Sequence, residues 1–330
     1  MNEHHYLVHE GSGLPALPVS EGMCRPEALA APEEMPDARI FLTDDAGQGI
    51  AYAALWWTEA PPREGEKIGT IGGFDAIDED AAKLLLDGAV SRLRKEGCTL
   101  AVGPMNGNTW RRHRFVIESD GRAPFLLEPR NPPEHPGWWR SAGFGELSRY
   151  SSSVMPLDGE PVVSPALKSR LERSGVVIRP LDATRYDDEL RTIHEISLKS
   201  FSNNFLYTPL DENAFLDAYR KVRDRVDPDL VRIAERDGVP CGFVFAIADL
   251  EAAARGEKPA LIVKTLAVDP SSRSAGLGSL LVDEVHCLGR EKGFTEAIHA
   301  LQHETNTSLK ITGRHHGDPF RRYALFSKLL

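Results

Sequence analysis

An apolar strand that leads through a glycine-containing loop into an amphipathic helix constrains this chain more than any other part of its sequence. Residues 260–268 are predicted to form a buried strand, because apolar side chains dominate the run. The helix that follows is predicted from apolar residues at helical spacing: Leu277, Leu280, Leu281, Val285 and Leu288. A strand, a loop and a helix in this order favour an α/β (α+β) fold, in which helices flank a mixed sheet.

The loop between this strand and this helix has the composition of an anion site. It reads Arg273-Ser274-Ala275-Gly276-Leu277-Gly278. The unpaired N–H groups of a helix start attract negative charge, and two glycines let a diphosphate approach the backbone closely. A P-loop is excluded because Gly278-Ser279-Leu280 lacks the required lysine, and the dinucleotide fingerprint Gly-x-Gly-x-x-Gly is absent.

These residues resemble the pyrophosphate loop of the GNAT superfamily of acyl-CoA N-acyltransferases, whose pattern is Gln/Arg-x-x-Gly-x-Gly/Ala. Arg273, Gly276 and Gly278 fill its three defined places, and the resemblance covers residues 176–330. It implies acetyl-CoA, or another acyl-CoA, as cosubstrate. It also implies a set of cofactor-binding residues: Leu266, Ala267, Val268, Arg273, Ser274, Ala275, Gly276, Leu277, Gly278, Ser279 and Asn306.

The reaction that the resemblance implies is the attack of an amine on a thioester. It needs a deprotonated amine, a polarised carbonyl and a proton for the departing thiolate. Glu304, beside His303 at the end of a predicted strand, is the candidate base, although it also fits the cap of the next helix. Tyr323 is the candidate acid. Many family members carry this tyrosine on the helix before the last strand, and this chain has none between Thr305 and Pro319.

The first half of the chain repeats part of the second. Leu85-Leu86-Asp87 followed by Gly97 matches Leu281-Val282-Asp283 followed by Gly293 at the same spacing. Carried back on this register, the glycines fall on Asp80 and Ala82, and the cation falls on Ile77. We therefore expect two GNAT-like mixed-sheet domains with flanking helices. Any two amphipathic helices that end in glycine would, however, align this well.

The expected boundaries follow from this repeat. They place a degenerate domain without a CoA loop at residues 1–157 and the acyl-CoA-binding domain at residues 176–330. Residues 158–175 are interpreted as a linker, since Asp158-Gly159-Glu160-Pro161 breaks the periodicity. Residues 1–36 are interpreted as an irregular lead-in.

The basic, aromatic segment 106–114 in the first half has two interpretations. It could bind an acidic part of the acceptor or the nucleotide end of CoA. It could equally be a solvated loop whose Trp110 is buried in the core.

The composition of the chain limits the classes of molecule that it is expected to bind. The net charge of −10 disfavours nucleic acid, and no apolar run approaches the roughly 20 residues that a membrane helix needs. The 4 widely separated cysteines, with no signal sequence, indicate reduced thiols and a cytoplasmic location. No metal site is expected, because His299, His303, His315 and His316 do not have ligand spacing.

The predicted function is N-acetyl transfer from acetyl-CoA to a primary amine of a small molecule or peptide. The acceptor, the acyl-chain length and the oligomeric state are left open. The alternative is a non-catalytic acyl-CoA sensor or scaffold, which the uncertain acid favours. An aminoacyl-tRNA-dependent transferase on a doubled version of the fold is a third possibility, and the acidic net charge disfavours it.

Overall fold

The computed structural model describes residues 5–11, 13–272 and 275–330. The strands of the first half are β1 His5–Glu10, β2 Ala38–Thr43, β3 Gly49–Trp56, β4 Ile68–Ala76, β5 Leu100–Gly103, β6 Phe115–Ser119 and β7 Gly145–Pro156. Those of the second half are β8 Val176–Pro180, β9 Val231–Arg236, β10 Val239–Ala248, β11 Leu261–Val268, β12 Glu296–His303 and β13 Asp318–Leu329.

Helices flank these strands in both halves. They are α1 Pro26–Leu29, α2 Glu79–Lys95, α3 His135–Ser141, α4 Pro165–Arg173, α5 Tyr186–Phe201, α6 Glu212–Arg220, α7 Leu250–Ala254, α8 Leu277–Glu291 and α9 Ser308–Arg314. Short 3₁₀ turns lie at Pro32–Glu34, Ala183–Arg185, Arg223–Arg225, Pro228–Leu230 and Pro270–Ser272. None of the helices in the described ranges has the length and apolar character to cross a bilayer.

Each half contains four antiparallel strands, a helix and a strand that returns parallel to the fourth. In the first half, α2 connects β4 to β5; in the second, α8 connects β11 to β12. The apolar stripe of each helix explains the arrangement, because Leu85 of α2 and Leu281 of α8 are both fully buried against their own sheet. The predicted mixed sheets with flanking helices are confirmed.

The two halves exchange their last strands. The sheet runs in the order β1-β2-β3-β4-β5-β13-β7-β12-β11-β10-β9-β8, and β6 pairs with β13 beside this path. Strand β13 therefore lies between β5 and β7, and β7 lies between β13 and β12. One continuous sheet joins the halves, so neither half completes its sheet alone. The predicted domain boundaries stay a prediction.

Two segments differ from the sequence-based interpretation. The lead-in contains β1, which pairs with β2 from His5↔Thr43 to Glu10↔Ala38; its exposed side chains show no alternation that would have revealed it. The linker contains α4, which Ser164 caps by accepting a hydrogen bond from the backbone N–H of Leu167 at 3.3 Å.

Candidate active site

A cavity opens where the parallel strands β11 and β12 separate. Their pairing spans only three residue pairs and ends at Val263↔His299. Each strand then carries a bulge: Lys264 is the extra residue of β11 against β10, and β12 shifts register against β7 between His299 and Gln302. The cavity is lined by side chains that include Phe201, Lys264, Leu266, Leu301, Asn306 and Ile311.

The predicted strand residues of the cofactor site divide between this cavity and the core. Leu266 lines the cavity and is half-buried, as is Val268, whose carbonyl accepts a 3.0 Å hydrogen bond from Ser200 Oγ. Ala267 is buried and packs in the core of the second half. Asn306 lines the cavity from the other side, and its Oδ1 accepts a hydrogen bond from the backbone N–H of Ser308 at 3.0 Å.

The start of α8 adjoins this cavity. Gly276 precedes the helix with φ 92°, a left-handed conformation that favours glycine, and a Cβ there would lie 2.8 Å from Leu167 of α4. Leu277 is fully buried, and a Cβ at Gly278 would lie 3.3 Å from Ile311. A side chain at residue 276 would therefore need both a left-handed backbone and a displacement of Leu167, whereas one at residue 278 would displace Ile311 by a few tenths of an ångström. Arg273 and Ser274 lie outside the described residues.

Guanidinium groups surround this helix start. Arg170 of α4 donates to the carbonyl of Ala275 at 2.9 Å, and Arg314 of α9 donates to the buried Ser279 Oγ at 3.1 Å. Arg236 donates to the carbonyl of Ser272. Added to the positive end of the helix dipole, these cations favour an anionic ligand. Helix α4, interpreted from the sequence as linker, supplies one of them.

The candidate acid Tyr323 is fully buried, outside the cavity lining. Its hydroxyl donates to Glu128 Oε1 at 2.5 Å and lies 3.0 Å from Ser152 Oγ, which in turn accepts the backbone N–H of Leu301 at 3.0 Å. Burial, followed by the charge of Glu128, raises the pKa of Tyr323 well above its usual range. Tyr323 therefore reaches the cavity through Ser152 and the β12 bulge. The candidate base Glu304 is exposed, and its backbone N–H donates to the carbonyl of Arg149 at 3.1 Å.

The first half of the chain contacts residues in and around this site. Trp110 Nε1 donates to the carbonyl of Thr208 at 2.7 Å, and its ring packs 5.9 Å from that of Phe215. This contact agrees with the interpretation that buries Trp110 in the core. Arg114 reaches further and donates to the carbonyl of Leu301 at 3.2 Å, while its guanidinium lies 3.9 Å from the centre of the Tyr150 ring.

Lys264 is a residue beside this cavity that sequence reasoning missed, whereas Arg114 belongs to the basic segment 106–114 that the sequence had singled out. The one available signal for Lys264 was a lysine inside a strongly apolar strand. Desolvation, followed by the charge of Arg114, lowers the pKa of Lys264 to about 8. Burial also lowers the pKa of Arg114, to about 10. Nothing in the sequence signalled that residues 114 and 264 approach each other.

The corresponding gap in the first half is filled by the chain itself. Beyond the β4–β5 pairing, Asn106 Oδ1 accepts the backbone N–H of Gly73 at 2.9 Å, and the Met105 N–H donates to the carbonyl of Ile71 at 2.8 Å. A Cβ at Gly72 would overlap Asn106. Helix α2 also begins with acidic residues, and Asp78 caps it by accepting the N–H of Ala81.

The histidines near α9 form a hydrogen-bonded cluster. His286 and His299 meet at 3.0 Å through their Nε2 atoms, and His299 Nδ1 contacts Thr312 Oγ1 at 2.8 Å. Burial lowers the pKa of His286 to about 2 and that of His299 to about 3, so both rings are neutral. Among the residues that the structure describes, no group of three or more His, Cys, Asp or Glu side chains could hold a metal ion.

Known proteins are similar to this chain in sequence and in fold. Residues 190–310 match the model of the Acetyltransferase (GNAT) family. Protein YghO of Escherichia coli (strain K12) is 27% identical over 199 residues, covering 58% of this chain and 50% of that protein. Bacterial ceramide synthase of Caulobacter vibrioides (strain NA1000 / CB15N) is 27% identical over 226 residues, covering 65% and 59% respectively. The matches thus span about half to three fifths of each relative.

A solved structure shares the fold over nearly the whole chain. A tandem GNAT protein from the clavulanic acid biosynthesis pathway superimposes with a TM-score of 0.54, at 12% identity, and covers 99% of this chain and 98% of its own. At this identity the likeness concerns the arrangement of the backbone alone.

Proposed function

Because the chain belongs to the GNAT superfamily, we propose that it transfers an acyl group, acetyl in the simplest case, from acyl-CoA to a primary amine. The observation that carries the proposal is the cavity between the separating strands β11 and β12, beside the start of α8. Predicted cofactor residues from three elements meet there: Leu266 on β11, Gly278 on α8 and Asn306 before α9.

In this proposal the diphosphate of CoA binds at Ala275–Ser279 and the pantetheine arm extends along β11 towards the bulge at Lys264. Backbone N–H groups of Leu266–Val268 polarise the thioester carbonyl. The acceptor nitrogen attacks that carbonyl, the N–C bond forms as the C–S bond breaks, and the amine proton is transferred to the thiolate. Glu304 remains the proposed base. Tyr323 is assigned a positioning role, because its proton is already donated to Glu128.

A calorimetric titration with acetyl-CoA tests the cofactor site. Ala275 is exposed at the start of α8, so Ala275→Glu adds a charge without overpacking, and Ala275→Gln adds the same volume without the charge. We expect the Glu variant to weaken Kd by about tenfold or more, a typical size for one repulsive charge near a diphosphate, and the Gln variant to change it little. Equal Kd values for both variants, or no binding by the unmodified chain, would overturn the proposal.

Turnover separates a transferase from a sensor. A transferase releases CoA thiol in the presence of a suitable amine, whereas a sensor binds acyl-CoA and never releases thiol. The name of the Caulobacter vibrioides relative motivates a second candidate, transfer of a long acyl chain to a lipid amine. The assay therefore compares acetyl-CoA with palmitoyl-CoA, and amino acids and polyamines with a long-chain amino alcohol.

The first half has no acyl-CoA site in this proposal. Asn106 occupies the gap between β4 and β5, and acidic residues at the start of α2 repel a diphosphate. Its proposed task is to line the acceptor side of the cleft through Trp110 and Arg114. We also propose a cytoplasmic location, which the free thiols Cys24, Cys98, Cys241 and Cys287 support.

A further inference from the structure

Lys264 and Arg114 lie beside the cavity, and neither forms an ion pair with a carboxylate among the described residues. Lys264 stands on the β11 bulge, half-buried in the cavity wall, and has neither a hydrogen bond nor an ion pair within the described ranges. Arg114 approaches from the first half and contacts Leu301, His113 and Tyr150, none of them acidic. The charge of Arg114 contributes to the lowered pKa of Lys264, and both cations contribute to the lowered pKa of His113.

Two buried donor atoms near the cavity have no acceptor among the residues that the structure describes. Arg114 Nε is buried without a hydrogen-bond partner. His303 Nδ1 accepts the backbone N–H of Thr305 at 3.1 Å, which leaves the ring proton on Nε2, and that atom is also buried without a partner. Both side chains pack on Tyr150, with the His303 ring 4.9 Å from its centre.

Two other cations of the chain have carboxylate partners. The buried Arg321 lies 3.4 Å from Glu128, and Arg179 reaches the buried Glu189 at 3.0 Å. Buried charges are normally paired, since an unpaired buried donor loses its hydrogen bonds to water without replacement. The contrast indicates that the acceptor for Arg114 and Lys264 comes from outside the chain.

We propose that Arg114, Lys264 and His303 form a subsite that binds a carboxylate of the substrate. A carboxylate offers two oxygens and about four lone-pair positions, enough to accept from all three side chains. The subsite lies at the β11 bulge, whereas the start of α8 adjoins Leu266 and Val268 further along that strand, so the subsite is separate from the proposed diphosphate site. This inference rests on the proposed function and restricts its substrates to acidic ones.

The carboxylate can reach the subsite from either substrate. It can stand at the far end of the acyl group, as in succinyl-CoA, or on the acceptor, as in a free amino acid. The donor arm of the experiment compares succinyl-CoA with 4-methylpentanoyl-CoA, which has the same shape without the charge. The acceptor arm compares L-leucine and L-phenylalanine with their amides. Each pair is measured by Kd and by kcat/KM for release of CoA thiol.

We expect one arm to favour the acid over its neutral partner by about tenfold or more, as a charge-assisted hydrogen bond would give. Lys264→Met removes the charge and keeps the length of the side chain, and it should reduce that preference to near unity. The matched control Lys310→Met, an exposed lysine of α9, should keep the preference unchanged.

Two results would overturn the subsite: no preference for the acid in either arm, or a preference that Lys264→Met leaves intact. Transfer without any acid preference would refute the subsite alone. Absence of acetyl-CoA binding would refute the proposed function, while the Kd values of the free acids and their amides would still report on the subsite.

Discussion

At the scale of single residues, a chain of hydrogen bonds connects the interior of the sheet to the proposed active site. The Leu301 N–H donates to Ser152, Ser152 donates to Tyr323, and Tyr323 donates to Glu128. Leu301 has φ 57°, which is unusual for a leucine, so its conformation depends on such contacts. The chain fixes the β12 bulge from the side opposite the cavity.

Tyr323→Phe tests whether this residue positions the site or acts as the acid. A positioning role predicts a loss of about 1–3 kcal/mol in the free energy of unfolding, because Glu128 loses its donor in the interior. It also predicts less than about a tenfold loss of kcat with an unchanged pH profile. Urea unfolding and pH–rate profiles measure both quantities. A loss of 100-fold or more that removes the alkaline limb would instead establish Tyr323 as the acid.

The His286–His299 pair makes stability depend on pH. Burial holds the folded pKa values at about 2 and about 3, far below the ordinary value of 6.5, so the unfolded chain binds more protons below pH 6.5. Stability is thus complete above that pH and falls as the pH is lowered towards the folded pKa values. Each histidine should lower the free energy of unfolding by about 1.4 kcal/mol when the pH falls from 7.5 to 5.5.

His286→Gln isolates this contribution. The amide can still donate to His299 but does not titrate, so the loss of unfolding free energy between pH 7.5 and 5.5 should shrink by about 1.4 kcal/mol. Urea unfolding at both pH values measures the change. The exposed His5→Gln should leave the difference as it is. An equal effect of both substitutions would contradict the assignment.

At the scale of elements, helix α4 packs against the proposed cofactor loop. Leu167 packs where a Cβ of residue 276 would lie, and Arg170 holds the Ala275 carbonyl. The proposed diphosphate loop therefore depends on a helix that precedes the acyltransferase domain predicted from the sequence. A substitution in α4 should therefore alter the conformation of the loop, although the substituted residue does not itself contact the cofactor.

Gly276→Ala measures this dependence against a matched glycine. Gly238 has a similar φ, 78° against 92°, but a Cβ there meets no atom within 4 Å. Gly238→Ala should cost about 1 kcal/mol from backbone strain alone, whereas Gly276→Ala should cost about 1–3 kcal/mol more from its overlap with Leu167. Thermal unfolding measures both. The additional Leu167→Ala substitution should leave the two glycine variants with equal costs, and a persistent gap would exclude Leu167 as the cause.

The sequence predicted which residues around this loop form a strand and a helix, but it did not predict which strands of the sheet lie side by side. Apolar periodicity placed the strand at 260–268 and the helix from Gly276, because local side-chain spacing determines both. It could not reveal that β7 and β13 exchange, since alternation states which face of a strand is buried and not which strand lies beside it. The proximity of Lys264 and Arg114 was missed for a related reason. It arises from tertiary structure, between residues about 150 positions apart in the sequence.

At the scale of the whole molecule, the exchanged strands should make unfolding a single event. Strand β13 pairs with β5, β6 and β7, so the first half cannot lose its sheet while the second keeps its own. This coupling distinguishes the molecule from two domains joined by a linker, each of which would unfold separately.

Leu85→Ala and Leu281→Ala test this coupling, because they are fully buried at matching places of α2 and α8. Each should lower the free energy of unfolding by about 2–5 kcal/mol. Each should also shift the same calorimetric transition, with the calorimetric and van't Hoff enthalpies equal. Two separate transitions, each moved by only one of the substitutions, would contradict the single cooperative unit.

The central position of β13 also sets the order in which the molecule can be completed during synthesis. About 160 residues separate the end of β7 from the start of β13. At roughly 5–20 residues per second, a ribosome needs about 10–30 s to make them. Throughout that interval β5 and β7 have open edges that could pair with another nascent chain. The unpaired edges of β5 and β7 therefore need protection from pairing with other chains until β13 emerges from the ribosome and pairs with both.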